Sequence, residues 1–134
     1  MKTPIVVLAS AVLWGGAVQA QAPVPADGKT LFAKNCAACH QANGRGIPGA
    51  FPALVASPVA IGPADAAAEV LLKGRGGMPD FSTSLDDADI AAVLTYARSS
   101  WGNRAPPIAG AEVAMRRAAL QVAPAGDIRF GNKH

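Results

Sequence analysis

Two thiols and an imidazole lie within five consecutive residues of this 134-residue chain, at a spacing that suits a single ligand. They are Cys36, Cys39 and His40, in the run Cys-Ala-Ala-Cys-His. On a helical turn, positions i, i+3 and i+4 project from one face, so the three side chains can converge. A C-x-x-C-H run in an exported protein is typical of covalent c-type haem attachment, with both thiols bonded to the porphyrin edge and the imidazole on iron.

The two cysteines have three other common uses: a disulfide, a redox pair or half of a zinc site. A thioredoxin-like redox pair needs a surrounding βαβ pattern, and a structural zinc site needs two further ligands. The chain contains no other cysteine, and its only other histidine, His134, is the last residue and is assigned no role. A simple disulfide stays open, although it would leave the position of His40 unexplained.

The first 20 residues predict export. Lys2 precedes an uncharged stretch over residues 5–18, and residues 18–20 have the small or modest side chains of a cleavage site. The stretch is short, contains glycine and runs into proline, which favours a cleaved signal peptide over a retained membrane anchor. We place cleavage after Ala20, with Ala22 as the alternative. The mature chain is expected in a bacterial periplasm, with no transmembrane segment.

Without its leader the chain is long enough for one small domain but not for two good cores. Much of the apolar content is alanine, and an enclosed haem would supply the missing apolar mass, so core and cofactor are expected to form together. The net charge of +3 and the lack of a lysine-rich run give no indication of nucleic-acid binding. The large apolar side chains outside the leader are led by Phe32, Phe51, Leu54, Leu71, Leu72, Phe81, Ile90, Leu94 and Trp101.

Helices are expected to dominate the fold, because no segment shows a convincing strand alternation. A first helix is predicted over residues 27–39, and the Gly- and Pro-rich segment 41–58 predicts an ordered loop. A second helix is predicted over 64–73, with Gly74 as its stop. The last strong helix starts after Asp86, a good cap, and carries an apolar stripe at helical spacing.

The second chemical feature is a methionine in the run Gly-Gly-Met-Pro at residues 76–79. Met78 has no helical context, and its glycines let backbone approach a ligand closely, which favours a presented thioether over a core side chain. Iron bound on one side by His40 needs an opposite ligand, for which the candidates are Met78, Met115 and His134. Met115 lies in an amphipathic segment beside two arginines, so Met78 is the predicted ligand.

These motifs, together with Phe51-Pro52-Ala53-Leu54 and a last helix that contains Tyr96, resemble a small bacterial class I cytochrome c. The resemblance covers about residues 26–101. It implies an all-α fold in which three to four helices wrap one covalent haem c, followed by a C-terminal extension.

The resemblance also assigns roles to individual residues. It implies that Cys36 and Cys39 form thioethers to haem and that His40 and Met78 are the axial ligands of iron. Pro52 would offer its carbonyl oxygen to the ring nitrogen of His40 that does not bind iron. The first helix would cross the last, with Gly28 and Phe32 against Val93 and Tyr96.

The chain continues beyond the part that resembles a cytochrome. We expect a signal peptide over 1–20, a haem domain over 21–101 and a C-terminal extension over 102–134, with a short helix within 111–122 and a loose tail from Pro124. The run from Ser100 to Asn103 followed by this extension is similar to cytochrome subunits or partners of periplasmic dehydrogenases and respiratory enzymes. Either a helix that covers the domain or a docking arm would account for the extension.

The predicted coordination determines the expected function. With His40 and Met78 both bound, iron has no open position for substrate, so we expect a one-electron carrier and not an enzyme. A thioether opposite imidazole favours Fe(II) and raises the potential. The expected protein is a periplasmic monohaem cytochrome in a respiratory or dehydrogenase-linked chain, whose partners are a dehydrogenase, an oxidase or another cytochrome.

Two other functions stay open. The chain could be a tightly bound cytochrome subunit of a periplasmic dehydrogenase or oxidase complex, instead of a freely diffusing monomer. It could also be a haem ligand sensor or a peroxidase-like protein, which would require Met78 to be absent from iron or readily displaced.

Overall fold

The computed structural model describes residues 27–126, so the predicted signal peptide and His134 lie outside the described residues. The described part of the chain is helical, and its only β pairings are two isolated bridges. The predicted all-α fold class is therefore confirmed. No helix within residues 27–126 is long and apolar enough to cross a membrane. The helices are α1 (Gly28–Asn35), α2 (Ala37–His40), α3 (Ala64–Lys73), α4 (Asp87–Ser99) and α5 (Gly110–Ala119).

The cysteine motif begins at a break between two helices. The sequence predicted one helix over 27–39, but this is wrong at Cys36, whose φ of −122° lies outside the helical range and ends α1. The backbone N–H of Cys36 still donates to Phe32 O at 2.9 Å, and His40 N donates to Cys36 O at 2.9 Å. The turn from Cys36 to His40 therefore keeps its helical hydrogen bonding, while the helical dihedral angles are interrupted at Cys36. Because no glycine or proline stands at the break, the sequence contains no signal that one helix should end there.

The predicted crossing of the first and last helices of the haem domain is confirmed. A Cβ atom on Gly28 would lie 2.3 Å from the carbonyl oxygen of Ala92 and 3.0 Å from Tyr96 Cβ, so only glycine allows α1 to approach α4 this closely. The ring of Phe32 lies 5.5 Å from that of Tyr96 and 5.1 Å from that of Trp101, measured between centroids. These aromatic contacts join α1 to the end of α4.

The core extends into the residues that follow Trp101. Its members come from α1, α3, α4 and the segment before α4, which contributes Leu85, and Ile108 and Val113 are buried in the same cluster. Helix α5 lies where a short helix was predicted and packs against α3 and α4. The described part of the extension therefore covers the haem domain.

Buried arginines hold this covering segment in place. Arg98, on α4, donates from Nε to Pro106 O and from Nη1 to Ala60 O and Gly62 O, each at 2.8 Å. One guanidinium thus joins the segment before α3 to the segment before α5. Arg117, on α5, is also buried and binds the segment that leads into α4.

Candidate haem site

The proximal side of the site is built around a buried imidazole. His40 ends α2, and its Nδ1 lies 2.8 Å from the carbonyl oxygen of Pro52, the contact that the resemblance implied. Because a carbonyl can only accept, Nδ1 carries the proton and donates, which leaves the lone pair of Nε2 for a metal. Backbone, instead of a mobile side chain, therefore orients the ring.

The two cysteines remain free thiols and do not form the disulfide that the sequence left open. Both are partly buried. Burial, and secondly the charge of a neighbouring Cys39 thiolate, raise the pKa of Cys36 from 9.0 to about 11. Within residues 27–126, no three or more His, Cys, Asp or Glu side chains form a group that could bind a metal ion.

Residues 41–58, which contain no helix, form the ordered loop that the sequence predicted; we call it the proximal loop, because it returns from His40 to Pro52. Gly46 N donates to His40 O at 2.8 Å, and Leu54 N donates to Gly44 O at 2.7 Å, so the loop folds back on itself. A Cβ atom on Gly46 would lie 2.3 Å from the carbonyl oxygen of Phe51, which makes glycine necessary at this close approach. These contacts return Pro52 to the imidazole.

Met78 lies in a tight turn directly after α3. Arg75 N donates to Met78 O at 3.1 Å, and Met78 N donates to Arg75 O at 3.0 Å. The residue between them that carries a positive φ is Gly76, at +58°, as expected for the first central position of a hairpin turn of the II′ kind. A Cβ atom on Gly74 would lie 2.6 Å from Met78 O, so this glycine both ends α3 and makes room for the turn.

The surroundings of the candidate ligands favour Met78. Its side chain is half-buried against the same core cluster that Cys36 and Leu54 contact. Met115, by contrast, is 66% exposed on α5. Of Met78 and Met115, only Met78 packs against the core cluster that Cys36 also contacts.

The residues present fit a c-type haem. Two free thiols stand one helical turn apart, and a buried imidazole keeps one nitrogen available while its other nitrogen is hydrogen-bonded. A half-buried thioether borders the same core. These are the groups that covalent attachment and axial ligation require.

Two residues that support the proximal loop were not assigned a role from the sequence. Trp101 Nε1 donates to Ala42 O at 3.0 Å, and its ring lies over Gly44, where a Cβ atom would be 2.4 Å from the ring. Asn103 binds the backbone of Leu54 through its side-chain amide. The resemblance includes the run from Ser100 to Asn103 but gives these residues no supporting role, and the positive φ of Trp101, +55°, which turns the chain back over the loop, is visible only in the structure.

Comparison with known proteins identifies the family. Residues 23–96 match the family model described as cytochrome c oxidase, cbb3-type, subunit III. A cytochrome c-552 of Thermus thermophilus is 37% identical, in a match that covers 69% of this chain and 69% of the relative.

Larger relatives match over a smaller share of their length. The cytochrome c subunit of a quinone-dependent alcohol dehydrogenase from Gluconacetobacter polyoxogenes is 34% identical over 59% of this chain and 19% of its own. The cbb3-type oxidase subunit CcoP of Azospirillum brasilense is 33% identical over 58% of this chain and 28% of its own. One covalent haem c, the cofactor predicted from the cysteine motif, is confirmed by these matches. The chain belongs to the c-type cytochrome family that this model describes and is a small class I cytochrome c.

Proposed function

We propose that this cytochrome carries single electrons between redox proteins of the periplasm and is not itself an enzyme. Cys36 and Cys39 would hold the haem covalently, and His40 and Met78 would be the ligands of its iron. The predicted leader over residues 1–20 supports a periplasmic location.

The way in which Met78 is held carries this proposal over a haem enzyme or a sensor. The turn that presents it is closed by two reciprocal backbone hydrogen bonds to Arg75 and begins at a glycine that no larger residue could replace without a clash. With its backbone held in this way, Met78 would bind iron opposite His40 and leave no coordination position for a substrate. A sensor or peroxidase would need this residue to be absent or readily displaced.

The chain's own residues hold the candidate iron ligand His40 in one orientation. His40 donates its Nδ1 proton to Pro52 O, so the proton stays on a fixed atom and the ring keeps one orientation. When bound, haem supplies a reversible one-electron couple, which His/Met ligation tunes toward a high potential. A fixed ligand orientation of this kind would keep the reorganisation energy of electron transfer low.

An absorption spectrum of the purified ferric and ferrous protein tests the proposal. Methionine sulfur on ferric haem gives a weak far-red band, which we expect in the unaltered protein. The band should disappear in Met78→Ala and persist in Met115→Ala, the matched control on the exposed face of α5. A high-spin ferric spectrum of the unaltered protein would overturn the electron-carrier mechanism.

A second candidate function is that of a cytochrome subunit within a dehydrogenase or oxidase complex. The names of several relatives favour it, although the chain spans only about a fifth of the dehydrogenase subunits that it matches. Stoichiometric co-purification with a catalytic subunit from crude periplasm would support this function. A monodisperse monomer in the same extract would favour the freely diffusing carrier.

A further inference from the structure

We propose that Asn103 is a positioning residue for His40, because its side chain fixes the backbone that presents the Pro52 carbonyl oxygen to the imidazole. The inference deepens the proposed function, since it takes His40 as an iron ligand. It gives the first residues after Trp101 a direct influence on the proximal side of the haem.

The amide of Asn103 joins two parts of the fold. The residue is only 6% exposed, and its Oδ1 accepts from Ala56 N at 2.8 Å. Its Nδ2 donates to Leu54 O at 3.0 Å and to Ala97 O at 2.9 Å. One acceptor and two donors are all used, as only a correctly oriented primary amide can do. The proximal loop is thereby tied to the end of α4.

The path from this amide to the imidazole is short and consists of backbone. Leu54 follows Pro52 by two residues, and its own N–H donates to Gly44 O at 2.7 Å. The segment therefore has a hydrogen bond to the loop on one side and to Asn103 on the other. Pro52, whose ring fixes its φ, lies at the start of this segment with its oxygen 2.8 Å from His40 Nδ1.

A hydrogen-bonded amide of this kind matters to a metal site because outer partners orient a ligating histidine and set its basicity. If the segment over 54–56 loosens, Pro52 O can leave Nδ1, and the ring loses its acceptor. The Nδ1 proton would then exchange with solvent. The exchange rate of that proton is thus a measure of how firmly the loop holds the ligand.

The test compares the solvent exchange of the His40 Nδ1 proton in the ferric holoprotein and its variants, with isotope-labelled histidine and NMR. We expect Asn103→Ala and Asn103→Asp to accelerate exchange on the order of tenfold or more, because each hydrogen bond lost shifts a local opening equilibrium several-fold. The reduction potential of the haem should shift in the same variants, because the orientation and basicity of His40 change. Asn103→Asp keeps the side chain's shape and the bond from Ala56 N, but it has no donor for Leu54 O and Ala97 O.

Met115→Ala is the control, because it removes a side chain that is 66% exposed on α5 and leaves the proximal loop and the crossing of α1 and α4 as they are. It should leave the exchange of the Nδ1 proton unchanged. If Asn103→Asp exchanges at the unaltered rate, shape alone is what the position requires, and the inference is wrong. Should Asn103→Ala fail to fold, the Asp variant carries the same comparison. The far-red band and the exchange rate test different proposals. If the band is absent from the unaltered protein, the proposed ligation by Met78 is wrong. The role of Asn103 is decided by the exchange rate alone.

Discussion

Replacement of Arg117 by alanine should show how much the extension contributes to the stability of the haem domain. The side chain is 4% exposed. Its Nε binds Asp87 Oδ1 at 2.7 Å, and its Nη1 donates to Ser82 O at 2.9 Å and to Ala123 O at 2.7 Å. Nη2 donates to Leu85 O at 3.2 Å. This guanidinium therefore connects α5 to the segment between Met78 and α4.

The expected cost follows from the acceptors left behind. Each buried carbonyl that loses its donor costs about 1–3 kcal/mol, and two are affected, those of Ser82 and Leu85, because Ala123 is exposed and its carbonyl can bind water instead. Breaking a buried ion pair costs about 3–5 kcal/mol, but the part-exposed Asp87 side chain regains some hydration and its share is smaller. We therefore expect Arg117→Ala to lower the free energy of unfolding by about 3–5 kcal/mol, a large part of the roughly 5–15 kcal/mol that a domain has.

Arg116→Ala is the matched comparison, because the same residue type stands one position earlier on the same helix. Arg116 pairs with Glu69, and the two side chains are 29% and 35% exposed. Such a pair is worth below about 1 kcal/mol.

Unfolding of the ferric holoproteins in guanidinium chloride, monitored by far-UV circular dichroism and by haem absorbance, gives the free energy of unfolding of both variants. Equal midpoints for Arg117→Ala and Arg116→Ala would refute the reasoning. So would a variant whose helices melt while its haem absorbance stays unchanged.

Two further changes test the helix crossing and the link between cofactor and core. Gly28→Ala should destabilise the holoprotein by about 1–3 kcal/mol or more, because the new Cβ overlaps the Ala92 carbonyl. Gly110, also at the first position of a helix, is the control, because a Cβ atom there would meet no atom within 3.5 Å. Gly110→Ala should be neutral or slightly stabilising in the same unfolding assay. Cys36→Ala combined with Cys39→Ala should lack covalent haem and give the circular dichroism of a largely unfolded chain; a folded haem-free double variant would contradict the expectation that core and cofactor form together.

Local signals in the sequence were sufficient to predict the helices that flank Met78. Helix α3 has the predicted bounds, with Pro63 before its first residue and Gly74 after its last. Asp86 caps α4 by accepting from Asp89 N at 2.8 Å, as its position suggested. Both predictions depended on side-chain types within one turn of the helix end, where capping chemistry acts.

The supporting hydrogen bonds could not be predicted in the same way. Arg98, Asn103 and Arg117 all donate to backbone carbonyls far along the chain. Because every residue type has a backbone carbonyl, an acceptor of this kind has no signature in the amino-acid sequence. An arginine is also expected at the surface, and only the packed structure shows that Arg98 and Arg117 are buried.

The choice between a covering helix and a docking arm was a question of the same kind. The apolar residues of the segment 111–122 were compatible with either. The structure buries Val113 completely against the core, so the described part of the extension is occupied by its own domain. The division of the chain at Trp101 stays a prediction.

The crossing of α1 and α4 has a consequence for the order of events during export. With the leader that we propose, the chain would emerge on the far side of the membrane from its N-terminal end, so the cysteine motif arrives before Ala92 and Tyr96 are present. Until then α1 has no partner for the face that carries Gly28, and both thiols are open to solvent. In the folded chain, burial raises the pKa of Cys36 to about 11, which makes its reactive thiolate scarce. We therefore expect haem attachment to be easiest before the domain has folded, while the thiols are accessible.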